Sequence, residues 1–269
     1  MRPAATVMLL RPAGDHFEVF MLRRSALSAF APDVYVFPGG VVESQDRSEQ
    51  AAARTRGIEA SRLERQFRAQ AAPGLDMPIA STSHREAAAC VVAGLRELYE
   101  EAGVLLACDA AAASLRLHEL EPHVARLSQA RSAVATGELP FADLLSELGI
   151  FGNGGALHLF SRWITPPSEV RRYDAHFFIA SAEAEQAALA DAHETHDGIW
   201  IAPQTALDRS QAGDFRMVYP TIKHIERLAR FTSVGDALDF TAEKHIYTIM
   251  PNVDAQTSFA IPTELEYAW

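Results

Sequence analysis

A chain of 269 residues, 48% of them hydrophobic, can bury a sizeable core and is expected to form a single domain over 1–269. Its formal net charge of −11 repels polyanions, which excludes duplex DNA or long RNA as the expected partner; a small anion stays open where a metal supplies local positive charge. Two cysteines, Cys90 and Cys108, cannot make a disulfide framework, and Val7-Met8-Leu9-Leu10 is too short for a signal peptide or membrane span, so no membrane partner and a cytoplasmic location are expected.

In chain order, Ala5–Leu10 and Phe17–Leu22 are apolar runs joined by Pro12-Ala13-Gly14-Asp15, the pattern of a strand hairpin. Tyr35-Val36-Phe37 is a third short strand running into Pro38-Gly39-Gly40, a turn whose missing Cβ atoms allow close backbone approach. Within residues 44–83, the alanine- and charge-rich stretch Ile58–Ala72 predicts a helix stopped by Pro73-Gly74. This segment carries no catalytic constellation and is expected either to shape a cleft or to form a flexible elaboration. Thr82-Ser83 with Glu86 caps the next helix, and Gly103 suits its end. Leu115–Ala135 and Phe141–Leu148 predict two helices in an elaboration at 109–149. Strands return at Ala156–Ile164, Arg172–Ala180 and Trp200-Ile201, helices at Pro203–Arg209 and Pro220–Phe231, and a late strand at Ile246–Met250. This mixture predicts an α+β sandwich, a central mixed sheet with helices on both faces.

Arg96-Glu97-Leu98-Tyr99-Glu100-Glu101-Ala102-Gly103-Val104 carries the chemistry. At 3.6 residues per turn Glu97, Glu100 and Glu101 project from one face, and Val91, Leu95, Leu98 and Ala102 from roughly the opposite one. Like charges at these spacings repel by about 0.2–0.5 kcal/mol per pair. Hard divalent cations want such oxygen ligands, so Mg²⁺ or Mn²⁺ is the natural counter-charge. The alternative is a solvated acidic face helped by an Arg96–Glu100 contact.

The order of that string is R-E-U-x-E-E-x-G-U, with Leu98 and Val104 as the apolar U positions. Together with Phe37-Pro38-Gly39-Gly40 upstream, it resembles the Nudix hydrolases, whose signature begins and ends on these two strings. The resemblance implies the Nudix α/β/α sandwich, hydrolysis of a nucleoside diphosphate linked to another moiety, and a divalent metal on Glu97, Glu100 and Glu101 completed by the Gly39 carbonyl. It also implies a general base that is one of these glutamates or a later carboxylate. Nudix enzymes often carry an acidic residue shortly before a Trp-containing strand; Glu194 in His193-Glu194-Thr195-His196-Asp197-Gly198-Ile199-Trp200 fits that placement, with Asp197 second. One departure stands out. Arg96 follows Gly40 by 56 positions rather than the contiguous signature's 14, so 42 residues are inserted inside the Nudix box. Ala88 stands where the signature's first glutamate, the buttress of the arginine, would be. Glu43, Asp46 (six positions after Gly40) and Glu86 are the candidates to replace it.

Two basic segments are candidates for substrate. Arg171-Arg172-Tyr173-Asp174 opens a predicted strand, where adjacent arginines face opposite ways, so that only one could meet a phosphate with its fork and surface salt bridging is the alternative, while Tyr173 could flank a base by stacking. Ser25 lies 12 residues before Phe37. Coenzyme A diphosphatases of the Nudix group carry an Arg-Ser pair at that distance, matched by Arg24 and Ser25, although their histidine and Gly-Glu are replaced by Ala31, Asp33 and Val34. With the split box, Trp163-Ile164-Thr165-Pro166 and Ile249-Met250-Pro251, the chain is similar to the split-box acyl-CoA diphosphatases best known from peroxisomes. It ends Glu266-Tyr267-Ala268-Trp269 rather than in Ser-Lys-Leu. The expected reaction is hydrolysis of the pyrophosphate of CoA or acyl-CoA to 3′,5′-ADP and (acyl-)4′-phosphopantetheine. NADH, ADP-ribose or a dinucleoside polyphosphate are alternative substrates, and a non-catalytic nucleotide-sensing module ranks below them because all three glutamates are intact. The sequence leaves a homodimer open.

Overall fold

Alternation along one long strand organises the molecule. In β1 (Arg2–Ala13), Ala5, Val7 and Leu9 enter one apolar cluster while Met8 and Leu10 enter another on the opposite face. A strand buried on both faces reads as an unbroken apolar run, which is why its sequence lacks polar alternation. The computed structural model describes residues 1–24, 33–68, 82–182, 198–253, 259–266 and 269.

The other elements are, in order, β2 (His16–Arg23), β3 (Tyr35–Val36), β4 (Gly39–Val41), α1 (Glu49–Ala53), β5 (Thr55–Arg56), α2 (Ala60–Gln66), α3 (His84–Glu97) and β6 (Ala107–Cys108). They continue with α4 (Leu117–Leu120), α5 (Val124–Ala135), α6 (Phe141–Glu147), β7 (Phe151–Asn153), β8 (His158–Ile164), β9 (Tyr173–Ser181) and β10 (Gly198–Ile201). Helices α7 (Pro203–Ala212), α8 (Tyr219–Leu228) and α9 (Val234–Glu243) precede β11 (Thr248–Ile249). The main sheet runs β10-β2-β1-β9-β8-β11, with β3 on β2 and β4 on β1. β1–β9 and β8–β11 are parallel and the remaining pairs antiparallel, so the sheet is mixed, as expected. One face packs on α3 through Ala89, Ala93 and Leu95; the other packs on Ile225 and Leu228 of α8 and Ala237 of α9. Each such fully buried Leu or Ile contributes about 1.5–3 kcal/mol. Among the described residues no helix is long and apolar enough to cross a membrane.

The structure departs from the sequence reading at several places. The β1–β2 turn tightens to Gly14-Asp15, with Gly14 at φ 68°. Gly39-Gly40 is not a turn: both residues lie in β4, paired with Thr6 and Ala5, and neither is left-handed. The Leu115–Ala135 helix is broken by a 3₁₀ turn at Glu121–His123, because Pro122 removes a backbone donor and clashes with the preceding turn. Arg171 and Arg172 precede β9, which begins at Tyr173, so strand alternation does not sort them. The Ile58–Ala72 helix shortens to α2; residues 69–81 lie outside the described ones. Helix α9 has no counterpart in the sequence reading, although the Ser233 hydroxyl caps it by accepting from the Asp236 amide.

The described part of the insert is built into the core rather than laid over it. Leu63 and Phe67 are buried, and β5 pairs with β7 in a second small sheet. Arg62 donates to the carbonyls of Gly57, Gly154, Gly155 and Leu157 at 2.6–3.1 Å, locking α2 to the approach of β8.

Candidate active site

Helix α3 begins as expected, with the Ser83 hydroxyl accepting the Glu86 amide at 3.3 Å. Small residues then let it lie close on the sheet: a Cβ at Gly94 would come within 3.0 Å of Leu157. After Glu97 the helix widens into a π turn over Leu98–Ala102 and stops at Gly103, which adopts φ 69°. Every residue from Ala87 to Glu97 is buried, Arg96 to 2% and Glu97 to 8% exposure. With the Glu100 side chain only 10% exposed and Glu101 turned to the Gly39 amide, this is not a solvated acidic face.

Arg96 is the hub. Its Nε and Nη2 donate to the two Asp46 oxygens at 2.9 and 3.1 Å, its Nη1 reaches Glu97 at 2.9 Å and both Glu100 oxygens at 3.1 Å, and its Nη2 also donates to the Val41 carbonyl at 3.2 Å. Asp46 is fixed in turn by accepting the Glu43 amide at 2.8 Å. Of the three residues able to replace the missing glutamate, Asp46 therefore takes the place. Glu86 instead pairs with Arg47 at 2.7 Å, and Glu43 accepts from Gln45. The insert thus supplies the buttress of Arg96, one of the three candidates the sequence offered.

Gly39 and Gly40 matter through what they lack. A Cβ on Gly40 would stand 2.2 Å from Glu97 Oε1, and one on Gly39 would meet the Ala5 carbonyl at 2.5 Å. The bare backbone of β4 is the floor on which the Glu97 carboxylate rests. The Gly39 amide donates to Glu101 Oε2 at 2.8 Å. Helix and strand are thus stitched at both glycines.

Burial raises all three carboxyl groups. Glu97 is pushed up to about 8 by desolvation, against the pull of Arg96. Glu101 is pushed up to about 7 by desolvation, against the Gly39 amide and the Arg24 guanidinium, and Glu100 moves in the same direction. Among the described residues no three His, Cys, Asp or Glu side chains are drawn together as a finished metal cage; Glu97 and Glu100 turn to Arg96, and Glu101 to Gly39. The donor set nevertheless fits a hard divalent cation: three carboxyl groups on one turn, held out of water, whose raised pKa values a bound cation would bring down.

The other expected residues fall in different places. The Arg24 Nε is buried without a hydrogen-bond partner, and its charge is close enough to lower the Glu101 carboxyl. Ser25, Glu194 and Asp197 lie outside the described residues. Tyr173 pairs with Arg2, four residues along β1 from the Thr6 that pairs with Gly39, and Arg172 donates to the Thr165 carbonyl at 3.0 Å. Arg171 is exposed. A cavity of about 730 Å³ opens at the other end of α3, between Phe67, Arg68, His84 and Ile246. One residue escaped the sequence reading altogether. Arg131, on α5, donates from Nε to the Glu100 carbonyl at 2.8 Å and from Nη2 to the Glu101 carbonyl at 2.7 Å.

A mixed sheet carrying an acid-bearing helix against a Gly-Gly strand is the Nudix arrangement. A family model described as the NUDT19 Nudix domain matches residues 1–228, and the chain belongs to that family. The protein named acyl-coenzyme A diphosphatase NUDT19 from Gallus gallus is 30% identical over 248 residues, covering 85% of this chain and 65% of that one. Its namesake from Homo sapiens is 29% identical over 244 residues, again with 85% and 65% coverage. The chain therefore spans just under two thirds of the length of these curated relatives. A crystal structure of a NUDIX hydrolase from Alicyclobacillus acidocaldarius matches with a TM-score of 0.61 at 23% identity, covering 91% of this chain and 97% of that one, which shows the same fold.

Proposed function

We propose that this chain hydrolyses the pyrophosphate of CoA or acyl-CoA, giving 3′,5′-ADP and (acyl-)4′-phosphopantetheine, with Mg²⁺ or Mn²⁺ on Glu97, Glu100 and Glu101 and the Gly39 carbonyl. The observation that carries this reading is the buried three-carboxylate turn seated on bare glycine backbone, with a guanidinium N–H of Arg24 left unpartnered beside it. The relatives named acyl-coenzyme A diphosphatase support the substrate class. A bound divalent cation would polarise phosphoryl oxygens and lower the pKa of a water. The chain's own groups do the rest. Arg96 holds Glu97 and Glu100 in register, and Asp46 holds Arg96. The Arg24 Nε–H is free to meet an anionic oxygen, with Ser25 next to it in sequence. Arg171, Arg172 and Tyr173 remain candidates for the distal phosphate and base.

Water's oxygen joins one phosphorus as the bridging P–O bond breaks, and the water's proton needs a base. Glu100 is engaged twice by Arg96 and Glu101 by the Gly39 amide, which leaves Glu194 as the favoured acceptor. Incubating purified protein and Mg²⁺ or Mn²⁺ with CoA, dephospho-CoA, ADP-ribose and NADH tests the proposal. CoA should be cleaved fastest; rapid cleavage of ADP-ribose or NADH with CoA untouched would replace the substrate and keep the chemistry.

A further inference from the structure

The last carbonyls of a helix have no intrahelical donor, and an unpaired one inside a protein is costly. At the end of the acid-bearing helix the Tyr99 carbonyl takes the Gly103 amide at 3.1 Å, and the next two carbonyls, Glu100 and Glu101, are taken by Arg131 from α5. The same helix accepts the Tyr99 hydroxyl at the Leu127 carbonyl, so α5 grips the π turn from two points. Gly103 leaves room for this grip: a Cβ there would stand 3.1 Å from Arg131 Nη1. A planar guanidinium with two parallel N–H groups fixes both the height and the rotation of the backbone it binds, which a single ammonium does not.

From this geometry we infer that Arg131 is a positioning residue: it sets the backbone of Glu100 and Glu101, and through it the aim of their carboxylates at the cation. The inference rests on the metal-dependent reading above. It gives the helical elaboration at 109–149 a task in the site. Arg131 acts through the two carbonyls it holds.

The test is Mn²⁺ binding to the substrate-free protein, followed by the electron paramagnetic resonance of free Mn²⁺, with the unfolding midpoint measured alongside. Replacing groups that orient metal ligands typically weakens metal binding about 10–100-fold. Arg131→Ala should weaken Mn²⁺ by that factor, and Arg131→Lys, which keeps the charge but not the two-point contact, should lie between it and wild type. Arg126→Ala, on the same helix as Arg131, removes an exposed pair with Glu147 of α6 and should leave Mn²⁺ affinity unchanged. If Arg131→Ala does not fold, the Lys variant alone decides: wild-type Mn²⁺ affinity in it overturns the inference. Lower unfolding midpoints with Mn²⁺ affinity within twofold of wild type would also overturn it, leaving Arg131 a structural cap. If wild type itself binds no Mn²⁺ sensitive to Glu97→Gln, the metal-dependent reading falls and takes this inference with it.

Discussion

Arg96 and Asp46, 50 positions apart, meet as a two-point ion pair at 2.9 and 3.1 Å in which both side chains are 2% exposed or less. This pair closes a Nudix box that the sequence splits, and it holds the arginine that in turn holds Glu97 and Glu100.

Breaking a buried pair from one side strands the other charge, at a cost of about 3–5 kcal/mol. Asp46→Asn should therefore lower the unfolding free energy by about 3 kcal/mol, the low end because Arg96 keeps Glu97 and Glu100. Glu86→Gln, in a half-exposed pair with Arg47, should cost under about 1 kcal/mol. Urea unfolding of both variants checks this; equal costs would remove Asp46 from its buttressing place.

Gly40→Ala separates folding from function. The new Cβ would overlap the end of the Glu97 side chain, which can swing aside, so the fold should survive with a loss of about 1 kcal/mol. A displaced Glu97 carboxylate no longer sits where the proposed cation needs it, and turnover should fall at least about tenfold, equivalent to about 1.4 kcal/mol of barrier. Unchanged kcat in a well-folded Gly40→Ala protein would mean that the Glu97 seat on β4 does not matter.

The ion pair Arg96–Asp46 shows where sequence reading stops. Motif order alone marked Glu97, Glu100, Glu101 and the Gly-Gly pair, and Ser83 and Gly103 bounded their helix, because these signals are local. Choosing Asp46 over Glu43 and Glu86 required knowing how α3 packs on the turn at residues 45–47, a tertiary fact. Arg131 is about 30 residues from the carbonyls it holds and belongs to no local pattern. Other misses did leave signals: Pro122 inside a predicted helix, and Ser233 three residues before Asp236, the start pattern of α9.

Acid should expose a second buried group. His224 is fully buried; its Nδ1–H donates to the Pro220 carbonyl at 2.7 Å and its Nε2 accepts the Ser161 hydroxyl at 2.7 Å. Burial holds it down at about 3, while the unfolded chain takes up a proton near 6.5. The unfolded state thus binds more protons between those values, and stability falls as pH drops from 6.5 to 3, by up to about 1.4 kcal/mol per pH unit for one group. His176, held at about 4, has the same sign. Glu97 and Glu101 oppose it: folded carboxyls near 8 and 7 keep protons that unfolded ones at 4.5 release, so stability rises as pH falls toward 4.5. Metal-free protein should therefore lose stability more steeply below pH 4.5, where the glutamates no longer oppose the histidines, than between pH 6.5 and 4.5. In His224→Gln the fall should be shallower by about one proton's slope. The wild-type slope persisting in that variant would show that His224 is not the neutral buried base described.

The most direct measurement is product analysis after CoA is incubated with Mg²⁺ or Mn²⁺ and either wild type or Glu97→Gln, which keeps shape but removes the ligand charge. Wild type should yield 3′,5′-ADP and 4′-phosphopantetheine, and the folded Glu97→Gln protein should lose turnover by orders of magnitude. Intact CoA with wild type, or the same products formed at equal rates by Glu97→Gln, would contradict the account.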